Sequence, residues 1–259
     1  MSLSTDHLAQ LTGAKTLLGG GDLSEKITAL LGRAADGGYA KLQGDWRAHL
    51  ALIAHDALML GLRGMLTTLG MGTGEVFPAL PRFAAAMSAR APSTQLPAAA
   101  LELPISMMLM CRSVADIARA NGEHEDALAT RLACLELFAL GDARKNAMTS
   151  GYFAERAALA KSTAAAAEYL SETFMVDEDA PPLREYIAAL AARFGEQIEI
   201  HAAAQAVAGI DARYGSAVNL LLIDHFLDIA RGHFAVRRLE RLYGQDDVRT
   251  TYDRIRLVR

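Results

Sequence analysis

The longest regular succession of apolar and polar positions runs from Asn219 to Gly244, NLLLIDHFLDIARGHFAVRRLERLYG. At about 100° per residue around Ile229, the positions Leu222, His225, Phe226, Gly232, His233, Val236, Glu240 and Tyr243 fall within about 60° of one line. The pattern predicts a helix whose apolar stripe contains two histidines and a glutamate. The opposite sector carries Asp224, Asp228, Arg231 and Arg238, but it is narrow and has Leu227 beside it, so most of this helix is expected to be buried.

The remaining pattern is also helical. Residues 1–20 read as a loosely ordered start ending in Gly19, Gly20 and Gly21, followed by a helix over Asp22–Leu31 with Leu23, Ile27, Leu30 and Leu31 on one side. Lys41–Leu69 carries Trp46 and an apolar run with His49, His55 and Asp56 embedded in it. Glycines at 61, 64, 70, 72 and 74 and prolines at 78, 81, 92, 97 and 104 then predict short helices and turns. Strong helical period returns over Ile105–Ala120 and ends at Gly122. Its Met107-Met108-Leu109-Met110 run reads either as packed core or as an adaptable ligand wall. Further helices are expected over Ala127–Leu140, Tyr152–Leu170, Leu183–Phe194 and Glu196–Val207, the last two separated by Gly195. Thr173–Pro182 reads as a linker or surface loop, and the charged residues after Gly244 as a solvated tail. The expected organisation is an N-terminal helical extension over 1–40, a helical domain over 41–245 and a tail over 246–259.

Composition sharpens the fold class. Of the 259 residues 52% are hydrophobic but only 6% aromatic, so the apolar content is mostly aliphatic, rich in helix-forming alanine, leucine and methionine. The expectation is an all-α chain forming a single compact multi-helix domain around a long buried C-terminal helix. A net charge of −4, from 26 basic and 30 acidic residues, provides no field for nucleic acid. Cys111 and Cys134 both lie in apolar helical pattern and read as buried thiols, which points to a reducing cytoplasm. The first fifteen residues lack the basic start and apolar core of a secretory leader. The most apolar windows, Leu96–Cys111 and Val207–Ile223, are interrupted by Pro97, Glu102 and Pro104 and by Asp211 and Arg213, short of the ~18 uninterrupted residues of a span. Mean hydropathy is nonetheless +0.15, which keeps a chain lying on a membrane in view.

One internal echo stands out. Ser113–Arg119, SVADIAR, resembles His225–Arg231, HFLDIAR, with Arg112 and Asp224 at the same offset before each. Pseudo-twofold packing of the two helices would set Arg112 against Asp224 as a buried pair. The plainer reading is that each Asp-x-x-Arg is an i,i+3 pair on a helix surface.

Four blocks carry a family resemblance: LELPISMMLMCRSVADIARANG at 101–122, RLACLELFALG at 131–141, GYFAERAALAK at 151–161 and the closing stretch from Ala217 to Gly244. They resemble the EcsC family of bacterial proteins, whose members share an LP-apolar-LMxRSxADIAR block, a CLExFALG block and a closing DHF-x4-ARGHFxVRRLE block. The resemblance spans residues 45–245. The loop before Asn219 departs from it, carrying Asp211 and Arg213 where a more apolar, Gly-rich turn is expected. The family is named for a gene beside those of an ABC transporter, which implies a membrane-proximal accessory role with a membrane transporter as partner. Some members are labelled peptidases, and no catalytic residue set comes with the resemblance.

Two functions follow as expectations. The first is a non-enzymatic accessory protein, cytoplasmic or peripheral to the inner membrane, binding a lipid or other hydrophobic ligand in an apolar helical cavity, or touching a membrane surface. The ligand residues then expected are Glu102, Met107, Met110, Arg112, Asp224, His225, His233 and Glu240, with no cofactor and no metal. The alternative is a metal-dependent, peptidase-like hydrolase using His225, His233 and Glu240. His233 and Glu240 are seven residues apart, about 10 Å along a helix axis, so such a site needs further ligands, for example His55, Asp56 or His201. HExxH, the repeated Glu-x-x-His of di-metal bundles, G-x-S-x-G and a strand-turn-helix phosphate loop are all missing from the sequence. Arg237, Arg238 and Arg241 form a basic cluster, expected either to pair with Asp224, Asp228 and Glu240 or to meet a lipid headgroup or other anion.

Overall fold

A computed structural model describes residues 3–19, 23–31, 54–62, 96–124, 127–140, 151–173, 176–177, 179–205 and 212–255. Every regular element among them is helical, as the composition predicts. The helices are α1 (Thr5–Leu18), α2 (Leu23–Leu31), a helical segment at 54–62, α3 (Leu96–Ala120), α4 (Leu128–Glu136), α5 (Tyr152–Glu172), α6 (Pro181–Gln205), α7 (Ala212–Tyr243) and α8 (Gln245–Arg254). A 3-10 turn at Leu137–Ala139 continues α4.

Helix α7 is the axis of the molecule. Its 32 residues run for about 48 Å, and α1, α2, α3, α6, α8 and the 3-10 turn all pack against it. The stripe read from the sequence is the buried one: Leu222, Phe226, Ile229, Val236 and His233 are enclosed, while Asp224, Arg231 and Arg238 face solvent. Its partners offer matching stripes. On α6, Leu183, Tyr186, Ile187, Leu190, Phe194 and Ile198 recur at three- and four-residue steps and are all enclosed. Phe138, Phe194 and Phe226 meet in a triangle with ring centroids 5.1–5.7 Å apart, joining the 3-10 turn, α6 and α7.

Several elements differ from the sequence expectation, each for a local reason. Residues 5–18 are a helix rather than a loose start. Ser4 caps it by accepting the His7 amide at 3.3 Å, and Leu11 and Ala14 bury against α7. Helix α3 begins at Leu96, so the stretch holding Pro97 and Pro104 is continuous helix rather than short helices and turns. Pro97 lies in the first turn, where its missing N–H has no intrahelical acceptor to lose. Pro104 removes one interior bond without ending the helix. The prolines at 78, 81 and 92 and the glycines at 70, 72 and 74 lie outside the described residues. Gly195 does not divide α6, which runs unbroken from Pro181 to Gln205. The helix expected over Ala127–Leu140 tightens to a 3-10 turn at Leu137. The chain after Gly244 is helix α8, which buries Val248 and Tyr252, and not a solvated tail.

The chain's two ends hold each other. Lys15 donates to the carbonyls of Tyr252 and Ile255 at 2.6 and 2.9 Å, satisfying the C-terminal end of α8, and its ammonium lies 4.7 Å from the Tyr252 ring centroid. His7 Nδ1 lies 2.6 Å from the Tyr243 hydroxyl. Gly232 lets α1 approach: a Cβ there would stand 2.7 Å from Leu18 Cγ and 2.9 Å from the Ala14 carbonyl oxygen.

Cys111 and Cys134 are free and buried. Burial pushes the Cys134 thiol up to about 12 and that of Cys111 higher still, so both behave as apolar packing groups. Among the described residues, no helix is long and apolar enough to cross a membrane.

Candidate functional site

Polar groups of the closing block find partners on α5 and in the turn that follows α3. His233, wholly buried, lies with Nδ1 2.9 Å from the hydroxyl of Tyr152, the first residue of α5. One turn along α5, Arg156 donates from Nη1 to the Tyr152 hydroxyl at 3.3 Å and to Glu240 Oε1 at 2.8 Å. Glu240 follows His233 by two turns on α7, so α5 lays one tyrosine and one arginine along that interval.

A second group adjoins the first. Arg237 donates from Nε and Nη2 to the two oxygens of Glu123 at 2.9 and 3.3 Å. Arg241 also bonds Glu123, and reaches the Asn121 carbonyl at 2.6 Å. Thr130 of α4 adds a hydroxyl donor at 3.0 Å. The end of α3 places that carboxylate: the Gly122 amide bonds the Arg119 carbonyl at 2.9 Å and the Glu123 amide the Ala118 carbonyl at 3.1 Å, with Gly122 at φ 77°. This is a Schellman closure, which needs the left-handed residue at 122 and turns Glu123 back toward α7. Glu136, at the end of α4, bonds the Thr163 hydroxyl of α5.

The electrostatics follow from enclosure. Burial, aided by the nearby Arg156 and Arg237 guanidiniums, holds the His233 imidazole well below its usual range, so the ring is neutral at physiological pH. Burial raises Tyr152 above the normal phenol range. Burial likewise opposes ionisation of Glu123, but its hydrogen bond and charge interaction with Arg237, joined by the charge of Arg241, outweigh burial and hold that carboxyl below its ordinary value. For Glu136 burial wins over the Thr163 hydrogen bond, and its carboxyl is raised.

The residues expected to share a ligand site are dispersed. His233 and Glu240 are joined through Tyr152 and Arg156. His225 is buried beside Phe226, two turns back along α7. Met107 and Met110 are fully enclosed core side chains. Arg112 and Asp224 are each exposed, so the two echoing segments do not set them together as a buried pair. The echo is accounted for by its Asp-x-x-Arg units, which form surface pairs at 2.8 Å (Asp116–Arg119) and 2.7 Å (Asp228–Arg231). Glu102 lies on α3, and its side chain is outside the described residues. His55 lies 3.4 Å from its neighbour Asp56, and His201 2.7 Å from Asn219. Among the described residues no three histidine, cysteine, aspartate or glutamate side chains stand close enough to hold a metal ion. The basic cluster does not pair with Asp224 or Asp228: Arg237 and Arg241 pair with Glu123 in the turn after α3, Glu240 pairs with Arg156 of α5, and Arg238 is exposed.

Sequence reasoning missed Glu123, Tyr152 and Arg156 as members of this cluster. A signal existed for each, since Glu123 follows a helix-ending glycine and Tyr152 and Arg156 are one turn apart at the start of a quoted block. Neither signal shows which neighbour such a residue will face.

Where the four sequence blocks meet, then, is an all-helical protein knit by a buried polar cluster at one end of its central helix. The chain belongs to the EcsC protein family, whose model matches residues 75–239. Helices α1, α2 and α8 and the helical segment at 54–62 lie outside that match. Neither a curated protein nor a solved structure matches the chain.

Proposed function

We propose that this chain is a non-enzymatic accessory protein that works beside a membrane and takes a lipid or another hydrophobic ligand. The observation that carries the reading is the use made of the polar side chains in the family blocks. His233, Glu240, Arg237, Glu123, Tyr152 and Arg156 are committed to one another across α3, α5 and α7, in bonds that hold helices together. A hydrolytic histidine needs an accessible nitrogen within reach of substrate, whereas His233 is sealed from solvent and held neutral. The apolar side of the proposal is supported by the sequence of the first ten residues of α3, 96–105, in which Glu102 is the sole charged residue. Such a helix suits an apolar ligand or a lipid surface better than a charged substrate.

The test is native mass spectrometry and metal analysis of the purified full chain. The expected result is co-purified phospholipid released on denaturation, with metal well below one equivalent. Stoichiometric zinc together with peptide hydrolysis abolished by His233→Ala would overturn the proposal in favour of the hydrolase alternative.

A further inference from the structure

The end of α7, the start of α8 and the first turns of α5 enclose an open depression of about 270 Å³ lined by Arg156, Arg237, Glu240, Arg241 and Gln245. Three guanidiniums in one concavity repel each other unless anions offset them. Glu240 offsets Arg156, and the single carboxylate of Glu123 serves both Arg237 and Arg241. Among the groups in these ion pairs that leaves three positive charges against two negative ones; Glu136, bonded to Thr163 behind them, does not line the depression.

The donor count agrees with the charge count. A guanidinium carries five N–H donors. Among the described residues Arg156 uses only Nη1 toward protein acceptors, and Arg237 uses Nε and Nη2. Nη2 of Arg156 and Nη1 of Arg237 thus keep their donors without a protein acceptor among the described residues. The N-terminal end of α8 adds to the same field. Gly244, at φ 88°, supplies no side-chain cap, and the first intrahelical amide bond is that of Val248 to the Gly244 carbonyl. The amides of Gln245 and Asp246 and the helix dipole therefore present positive charge where Gln245 lines the depression. Asp246 and Asp247 lie in that first turn but do not line it.

We infer that this depression is a binding site for a phosphate group, held by Arg156, Arg237 and Arg241 with Gln245 at its rim. Planar guanidiniums offer paired donors that match phosphate oxygens, and the site pairs them with a helix N-terminus that favours the same charge. Its volume lies just below the ~300–1,000 Å³ of sites for drug-sized ligands, which suits a headgroup or a small phosphorylated compound rather than a whole lipid. The inference does not depend on a membrane role, because the phosphate can belong to a free solute or to a lipid headgroup.

The experiment uses the full chain with two probes: inorganic phosphate, followed by calorimetry and thermal shift against chloride at equal ionic strength, and phosphatidylcholine vesicles with and without phosphatidic acid, followed by flotation. Two variants report on the site. Arg241→Gln removes a rim charge, and Gln245→Glu places a carboxylate in the wall at a helix position where acids are favoured, so that it does not weaken folding. Arg231→Gln, an exposed residue of α7 paired with Asp228, serves as control. The expected result is phosphate binding weakened about tenfold by Arg241→Gln, the loss of one charge-assisted contact, abolished by Gln245→Glu and unchanged in the control. Binding of phosphate alone identifies a soluble ligand. Binding of phosphatidic acid vesicles that is also lost in Gln245→Glu identifies a headgroup. No response beyond chloride, or a response that survives Gln245→Glu, overturns the site while leaving the lipid-accessory reading to its own test.

Discussion

At the scale of single residues, burial decides which charges matter, and Glu123 shows it best. Its side chain is only 7% exposed, and it accepts from Arg237, Arg241 and Thr130. Glu123→Gln removes the charge while keeping the shape, leaving two guanidiniums to repel each other and Thr130 to share a weaker acceptor. Because Arg237 and Arg241 keep partial access to water, the loss falls below that of a fully buried ion pair and is expected near 2 kcal/mol by urea unfolding. The comparison is Arg231→Gln, which breaks an exposed i,i+3 pair of similar length and is expected to cost less than about 0.5 kcal/mol. Equal losses in the two variants would show that Glu123 does not hold α3 to α7. The difference between the pairs is invisible in the sequence, where each is simply an acid and an arginine.

At the scale of elements, close approach matters more than periodicity. Helix α1 crosses α7 at Gly232, and a methyl group there meets the Ala14 carbonyl oxygen, which is backbone and cannot rotate away. Gly232→Ala therefore pushes α1 off, at a cost of ~1–3 kcal/mol for overpacking, of which the better helix propensity of alanine returns up to about 1 kcal/mol. Gly13→Ala, on α1 itself, meets nothing within 4 Å and is expected to stabilise by about 1 kcal/mol. Hydrogen exchange over residues 5–18 checks both: faster in the first variant, slower or unchanged in the second. The same crossing explains what the sequence could show. The stripes of α7 and α3 were legible because a long amphipathic period survives any packing partner. Helix α1 was not, since its apolar positions are too few to mark a stripe and its order comes from Gly232, Lys15 and His7 meeting residues more than two hundred positions away. Pro104 and Gly195 misled in the other direction, because tertiary packing carries α3 and α6 through residues that break isolated helices. In the candidate site, His233 and Glu240 were recognisable as polar groups inside an apolar stripe, but their partners Tyr152 and Arg156 depend on how α5 lies across α7.

At the scale of the whole molecule, these contacts make one end of the bundle an electrostatic unit sensitive to acid. His233 is packed against Tyr152, with the Arg156 and Arg237 guanidiniums facing it, so the folded chain excludes a proton that the unfolded chain accepts near pH 6.5. Below that pH the unfolded state binds more protons than the native state, and stability falls as pH falls, by up to about 1.4 kcal/mol per pH unit. Glu123, whose folded carboxyl is lowered, adds to the loss only when pH falls below its ordinary value of 4.5. Glu136 is raised and has the opposite sign: its contribution is present in acid and is lost as pH rises above 4.5. The informative comparison is therefore with His233→Gln, which leaves Glu136 and Glu123 in place and gives Tyr152 a neutral partner. Over the first pH unit below 6.5, urea unfolding is expected to show the native sequence losing about 1 kcal/mol more than this variant. Parallel losses in the two chains would mean that the buried imidazole does not set the acid limit of the fold. A steeper loss confined to the native sequence would locate that limit at the junction of α5 and α7, beside the arginine-lined depression.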